Sequence, residues 1–508
     1  VSYATLPEDH SAEEMNRPES EDSQLGTDTR DNATVDGHAE SAESAASFDP
    51  PRCPEPAERP DVWPWSAKRR DDGTLEIGGV ALTDIAQTHG TPVFVLDTED
   101  LAGRARVWAS VMNEEFWDGY GMAGGDAYYA GKAFLSAEVA REVVAQGMGI
   151  DTASLGELTL ALRAGVEPSL IGLHGNNKSD EEIRLALEAK IHRVFIDSMD
   201  EVEQVERIAS ECGCIAPVMV RVKCGIHAGG NEYIATAHED QKFGVSIADG
   251  QAMEVIRRVR DSEHLNFLGV HSHIGSQIHD AAAFLEAARI VMKFVASIRD
   301  DLGVETGAVD LGGGVGIAYT GEDPRPLRPI DLARPLAQVI RQECQQWGLP
   351  IPHVSVEPGR SIAGPAMVTL YRVGVIKDVT LPDGGVRRYV AVDGGMSDNI
   401  RPALYGARYV AALANRRPTD DWVRGRIVGK HCESGDIIID ELRVPADLRS
   451  GDLLAVPATG AYGYSMASNY NMLTKPGVLA VSGGDAHWMI RPQTVDDLIA
   501  YDQGLAEK

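Results

Sequence analysis

The chain reads as an α/β protein built on a (β/α)8 TIM-type barrel, with a C-terminal β-domain after it. Two observations predict this. Eight short apolar runs recur over about 250 residues, each ending in glycine or polar residues and each followed by helical periodicity, which is the arithmetic of a parallel barrel. After Arg360 that rhythm stops, and short strand-like runs separated by turn signals take over.

The elements follow in order. Residues 1–60 carry about fifteen acids against four arginines and few large apolar side chains. Such a segment buries too little surface to offset its ordering entropy, so a disordered, solubilising acidic tail is expected there. Residues 61–105 contain the strand-like runs Leu75–Leu82 and Val93–Leu96. The barrel is assigned to 106–365, with strands at Ala127–Ala130, Ile150–Ala153, Leu170–His174, Val194–Asp197, Val218–Val222, Leu268–His273, Ala308–Leu311 and Val354–Glu357. Helical spacing is plain at Ala137–Ala145 and Asp180–Ala189. The second of these opens on Asp180, Glu181 and Glu182, as the helix dipole prefers. The β-domain is assigned to 366–508, with runs at Val368–Val373, Tyr389–Val392, Ile437–Ile439 and Leu453–Val456 and a hairpin signal at Pro382–Gly385.

Composition narrows the partners. With 508 residues the chain accommodates two or more domains with their own cores, and its 43% hydrophobic content is ordinary for a globular protein. The 77 acidic against 47 basic residues leave a net charge of −30. That balance argues against nucleic acid and anionic membrane surfaces as partners. Six cysteines form no compact disulfide framework, and Cys212-Gly-Cys214 is too tightly spaced for a zinc knuckle. No basic stretch followed by an apolar one opens the sequence, and the longest uncharged run, Leu453–Thr474, is too rich in Gly, Tyr, Asn and Ser to span a bilayer. A cytoplasmic enzyme acting on a small molecule is expected.

In such a barrel, chemistry collects at the C-terminal ends of the strands. Lys132 follows strand one, Asp151 lies in strand two and His174 ends strand three. His273 and Ser276 follow strand six, Gly312, Gly313 and Gly314 follow strand seven, and Glu357-Pro-Gly359-Arg360 follows strand eight. A lysine at a strand mouth is placed to hold an aldehyde cofactor as a Schiff base, although a lone lysine there is usually a solvated surface residue. Three glycines after a strand let backbone N–H groups approach a phosphate, or simply make a turn. They are not a dinucleotide fingerprint, because Ile317 stands where a third spaced glycine belongs, and Gly131-Lys132 is not a Walker loop. Strand alternation puts His271 and His273 on one face, but no third ligand is evident, so no metal is expected. Arg360, Arg401 and Tyr405 suit a carboxylate, and Glu433 suits an ammonium group.

Taken together, Lys132, His271-Ser-His273-Ile-Gly-Ser276-Gln, Asp310-Leu-Gly-Gly-Gly314, Glu357-Pro-Gly-Arg360, Cys432-Glu433-Ser-Gly-Asp436 and Gly460-Ala-Tyr462 resemble, in this order, the diaminopimelate decarboxylases. These are pyridoxal-phosphate enzymes of the alanine-racemase and ornithine-decarboxylase barrel fold, and the resemblance spans roughly residues 75–500. It implies that the strands before the barrel join the C-terminal β-domain. It implies pyridoxal 5'-phosphate held by Lys132, with Asp151, His273, Ser276, the glycine triplet, Glu357, Gly359, Arg360 and Tyr462 around it. In that frame Glu357 faces the ring nitrogen, His273 stacks on the ring, and Ser276 and Tyr462 serve the phosphate. Cys432 donates a proton, and Arg360, Arg401, Tyr405, Glu433 and Tyr462 bind substrate. The resemblance further implies a homodimer with shared active sites, in which the Cys432 loop reaches into the partner's barrel.

Rival readings are a decarboxylase of ornithine, arginine or a carboxylated polyamine, an amino-acid racemase, and a non-catalytic homologue that binds the cofactor. Arg401 and Glu433 speak against the first, and Glu357 opposite the ring nitrogen against the second. The presence of both Lys132 and Cys432 speaks against the third. Three stretches depart from or sharpen the resemblance: Asp151–Gly156 lacks an expected glycine pair, Gly225–Asn231 is worded differently, and His238–Gly244 matches better.

Overall fold

The computed structural model describes residues 50–226 and 241–505. Eight parallel strands close into a barrel. In chain order they are Gly125–Ala130, Gly149–Thr152, Ile171–Leu173, Arg193–Ile196, Ala216–Lys223, Leu265–His271, Ala308–Asp310 and His353–Val356. Each pairs with the next, and the last pairs back onto the first. The predicted strands hold, with ends displaced by one to three residues. A two-residue strand, Val245–Ser246, adds to the edge of the fifth, and no period-2 signal marked it.

Local chemistry explains the regular alternation. Four successive barrel helices start on a serine whose hydroxyl accepts an N–H three residues on: Ser136, Ser154, Ser179 and Ser198. Ser179 and Glu182 complete a reciprocal capping box. Helices Ala137–Ala145 and Asp180–Ala189 have the bounds that their apolar spacing predicts. Each helix sets an apolar stripe on the barrel, as with Ile183, Ala186 and Leu187.

The second sheet runs, edge to edge, through Ile437–Pro445, Trp422–Val428, Val386–Val392, Met367–Thr380, Val93–Asp97, Val478–Ser482 and Asp485–Ile490. Val93–Asp97, which precedes the barrel in sequence, lies inside it, antiparallel to Met367–Leu370 and parallel to Val478–Val481. All five of its residues are buried, which suits a strand covered on both faces. The hairpin at Pro382–Gly385 joins Thr380 to Val386.

Three expectations change. Leu75–Ile77 and Val80–Ala81 form a separate small antiparallel sheet with Lys68–Arg69, and Leu82 opens a helix, Leu82–Thr88. Leu75 and Ile77 still pack into the apolar core shared with Val95, Leu370 and Val456, so they join that domain by packing and not by strand pairing. The expected tail also ends sooner. From Pro50 the chain is folded: Cys53 is buried, the Trp63 indole donates to the Pro54 carbonyl, and Arg443 N–H donates to the Pro51 carbonyl. Prolines and one cysteine carry this docking, so composition alone read it as tail. Residues 1–49 and 227–240 lie outside the described residues, and with them most of the tail and of the Gly225–Asn231 and His238–Gly244 stretches. No described helix is long and apolar enough to cross a membrane.

Candidate active site

The strand ends open on a cavity of about 590 Å³ with a deeper lobe of about 160 Å³. Ala130, Lys132, His273 and Glu357 line both, so the two adjoin at these residues. Lys132 stands in a single turn, Gly131–Ala133, directly after the first strand, with its side chain exposed to this space. Its turn is fastened to the C-terminal domain, because the Ala133 carbonyl accepts both Tyr462 N–H at 2.9 Å and the Ser465 hydroxyl at 3.0 Å.

The floor is a buried charge cluster. Glu357 Oε1 lies 2.9 Å from His174 Nε2 and 3.2 Å from His271 Nε2. Burial alone would raise the Glu357 pKa, but the two imidazoles outweigh it and hold the carboxyl well below its usual range. His174 is correspondingly raised, since Glu357 and Asp151 overcome its burial, and its ring stacks on Phe195 at 3.6 Å between centroids. Beneath them Arg193 donates to Asp310 Oδ2 at 2.7 Å, and Asp310 Oδ1 accepts Gly312 N–H at 2.8 Å. One buried ion pair thus braces the start of the glycine loop.

The glycines divide the work unequally. Gly312 N–H is committed to Asp310 Oδ1. The strand ends at Asp310, so the first glycine serves the turn. Gly313 and Gly314 do line the cavity. A side chain at Gly313 would sit 2.1 Å from the Glu357 carbonyl, so only glycine fits there. Gly313 N–H donates to His273 Nδ1 at 3.2 Å, which fixes that ring's orientation. Burial, with help from Lys132 and Arg221, pushes His273 well below its ordinary pKa, so the imidazole is neutral.

His271 and His273 both line the deeper lobe. The sixth strand stops at His271, and within the lobe His271 Nε2 lies beside Glu357 while His273 Nδ1 accepts Gly313 N–H. His174, His271 and Glu357 do offer three donor atoms within 4.8 Å of one another, a grouping that no sequence spacing revealed.

The outer end is cationic. Arg360 donates to Ser276 Oγ at 2.8 Å and to the Tyr319 hydroxyl, and its guanidinium lies 4.8 Å from the centre of the Tyr462 ring. Arg401 donates to the same Tyr319 hydroxyl at 2.9 Å and to Tyr409 at 2.5 Å. Gly359, Tyr405 and Tyr462 also line this end, and Asp151 lines the deeper lobe. Cys432 and Glu433 do not line the cavity. Both are exposed on a turn whose base is pinned by Asp436, which accepts N–H groups from Met396 and His431. Sequence reasoning assigned no role to Tyr319, Tyr409, Arg193 or His271. His271 ends a strand and was discoverable; the two tyrosines carry no spacing signal.

The residues fit pyridoxal phosphate. A lysine amine, a buried carboxylate, a neutral imidazole and a glycine-lined pocket with Ser276 and Arg360 share one space. Glu357 Oε1 lies beside His174 and His271 but has no hydrogen bond of good geometry, which a protonated ring nitrogen would supply.

The comparisons agree. The family model "Pyridoxal-dependent decarboxylase, pyridoxal binding domain" matches residues 115–364. The chain is 47% identical over 448 residues to the diaminopimelate decarboxylase of Mycobacterium tuberculosis (strain ATCC 25618 / H37Rv), covering 87% of this chain and 98% of that protein. It is 42% identical over 439 residues to the Bacillus subtilis (strain 168) enzyme, covering 86% and 97%. The crystal structure of the M. jannaschii diaminopimelate decarboxylase in co-complex with L-lysine superimposes with a TM-score of 0.77 at 32% identity, covering 86% of this chain and 97% of that one. By sequence over nearly the whole length of its relatives, and by fold, this chain belongs to the diaminopimelate decarboxylases, pyridoxal-dependent carboxy-lyases.

Proposed function

We propose that this chain releases CO2 from meso-2,6-diaminopimelate to give L-lysine, the last step of lysine biosynthesis. The observation that carries the reading is a single cavity joining Lys132 and Glu357 to two buried arginines, Arg360 and Arg401. A diamine-forming decarboxylase, whose substrate ends in a cation, would place acids at that outer end.

Bound pyridoxal phosphate supplies the electron sink for the bond that breaks. Lys132 presents an amine that would hold the cofactor's aldehyde. Glu357, kept ionised by His174 and His271, would keep a proton at its ring nitrogen. His273, neutral and oriented by Gly313, would lie against the cofactor. Ser276, Gly314, Arg360 and Tyr462 would bind the phosphate, with Asp151 and Gly359 completing the pocket. Arg401 and Tyr405 hold the carboxylate at the far end of the substrate, the one that L-lysine keeps.

Cys432 is the proton donor and Glu433 the grip on the distal ammonium, both supplied by a second copy of the chain. Their exposure outside their own cavity supports this, as do the exposed Tyr470 and Met472 beside Asn471, which holds Cys432 N–H. The assembly is then a homodimer. Six cysteines, none of them in a disulfide, support a reducing, cytoplasmic compartment.

The test is CO2 release from a panel of diaminopimelate, lysine, ornithine and arginine, with and without added cofactor. Turnover of diaminopimelate alone, dependent on pyridoxal phosphate, is expected. Preference for ornithine, arginine or lysine overturns the substrate assignment.

A further inference from the structure

The two arginines of the outer end are unusual in what they lack. Arg360 and Arg401 are only 7% and 6% exposed, yet among the described residues neither forms an ion pair with a carboxylate. Buried guanidinium groups are ordinarily paired, since an unpaired charge out of water is costly. Here the shared partner is a phenol. Tyr319 Oη accepts from Nη1 of Arg360 and from Nη1 of Arg401. Each arginine has one further partner, Ser276 for Arg360 and Tyr409 for Arg401.

Tyr319 is itself well held. Its ring meets Tyr409 edge-on at 5.1 Å, and the N–H groups of Tyr319 and Thr320 both donate to Asp323 Oδ2 at 2.8 Å. It reaches the cavity because the chain leaves the seventh strand through the glycine loop and turns outward, so the residue couples the phosphate end of the cavity to its outer end.

We infer that Tyr319 is a positioning residue for substrate selection. Its hydroxyl sets the separation of the two guanidinium groups, so that Arg360 serves the cofactor end while Arg401 presents its remaining donors to a carboxylate at the far end of the substrate. A phenol suits the task better than an acid. It satisfies both arginines without cancelling their charge, so the net attraction for an anionic ligand survives. The two guanidinium groups draw the Tyr319 hydroxyl below its ordinary pKa even though burial works in the opposite direction, which agrees with the geometry. The inference rests on the diaminopimelate reading above and adds to it the residue that enforces the distal carboxylate.

The experiment compares wild type with Tyr319→Phe as holoenzymes. Phenylalanine keeps the ring and its packing and leaves each arginine one partner, so the variant retains its fold; the melting temperature and the visible absorbance of the bound cofactor check this. Three constants are read: KM for diaminopimelate, Ki for L-lysine and Ki for 1,5-diaminopentane. The first two ligands carry the distal carboxylate and the third does not. Loss of a hydrogen bond to a charged group predicts about a tenfold or greater rise in KM and in the Ki for lysine. The Ki for the diamine stays within about twofold, and kcat falls by a smaller factor than KM rises. An unchanged or lower KM overturns the inference, as does an equal weakening of all three ligands or a parallel loss of cofactor. If wild type does not turn over diaminopimelate, the substrate reading fails instead, and that result is read before any variant is made.

Discussion

The floor and the outer end of the cavity solve opposite electrostatic problems. At the floor, Glu357 is surrounded by His174 and His271, and Asp310 by Arg193, so each buried anion has its cation within the chain. At the outer end, Arg360 and Arg401 share a tyrosine and, among the described residues, pair with no carboxylate. The difference shows what each end is built for. The floor is self-neutralised. On the function proposed above, the outer end keeps its positive charge for ligands that bring their own negative charge, namely the cofactor's phosphate and the substrate's second carboxylate.

Lys132→Ala breaks the site between the two ends and has the largest expected effect. Turnover falls by about three orders of magnitude or more. A variant that still carries a borohydride-reducible bond to the cofactor would show that another lysine is the anchor.

Glu357→Gln breaks the floor. An amide cannot hold a proton at the ring nitrogen, and kcat is expected to fall by about a hundredfold or more while KM changes little. Near-normal kcat would mean that the carboxylate serves only to neutralise the two histidines.

Arg401→Ala breaks the outer end. Leaving the distal carboxylate unpaired costs about 2–5 kcal/mol, read as a rise in KM of about thirtyfold or more. Cofactor affinity should be far less affected; an equal loss of pyridoxal phosphate, followed by absorbance, would move Arg401 out of the substrate end.

A third region sharpens the comparison. Lys132→Ala and Cys432→Ala are each weakly active, yet unfolded and refolded together they should recover about a quarter of wild-type turnover. In the proposed homodimer, random pairing makes half of the assemblies mixed, each with one intact site of two. Heterodimers that form without activity would place Cys432 in its own chain's site.

The smallest effect separates tail from body. Removing residues 1–49 is expected to leave unfolding temperature and turnover nearly unchanged, given that segment's polar composition. Removing residues 1–60 deletes the buried Cys53 and the contacts of Pro51 and Pro54, at about 1–3 kcal/mol of stability. Identical melting curves for the two truncations would show that Pro50–Pro60 contributes nothing.

Sequence alone determined the barrel, because closure needs only eight apolar runs at regular intervals, and serine caps and apolar stripes are local signals that survive without neighbours. It also determined the motifs Lys132, the glycine triplet and Glu357-Pro-Gly359-Arg360, since strand ends in a barrel converge by construction. What it left open lies in contacts between segments far apart in the chain. Tyr319 meets Arg401 across 82 residues and Arg193 meets Asp310 across 117, and no periodicity encodes either. That His271 Nε2 meets Glu357 while His273 Nδ1 accepts Gly313 N–H depends on where one strand stops, the least predictable property of an element. Only the tertiary structure decided that Leu75–Ile77 and Val80–Ala81 pair apart from the second sheet, that Gly312 serves Asp310, and that the two outer arginines share a phenol. These outcomes follow from burial, which forces each buried polar group to find a partner wherever the fold happens to bring one.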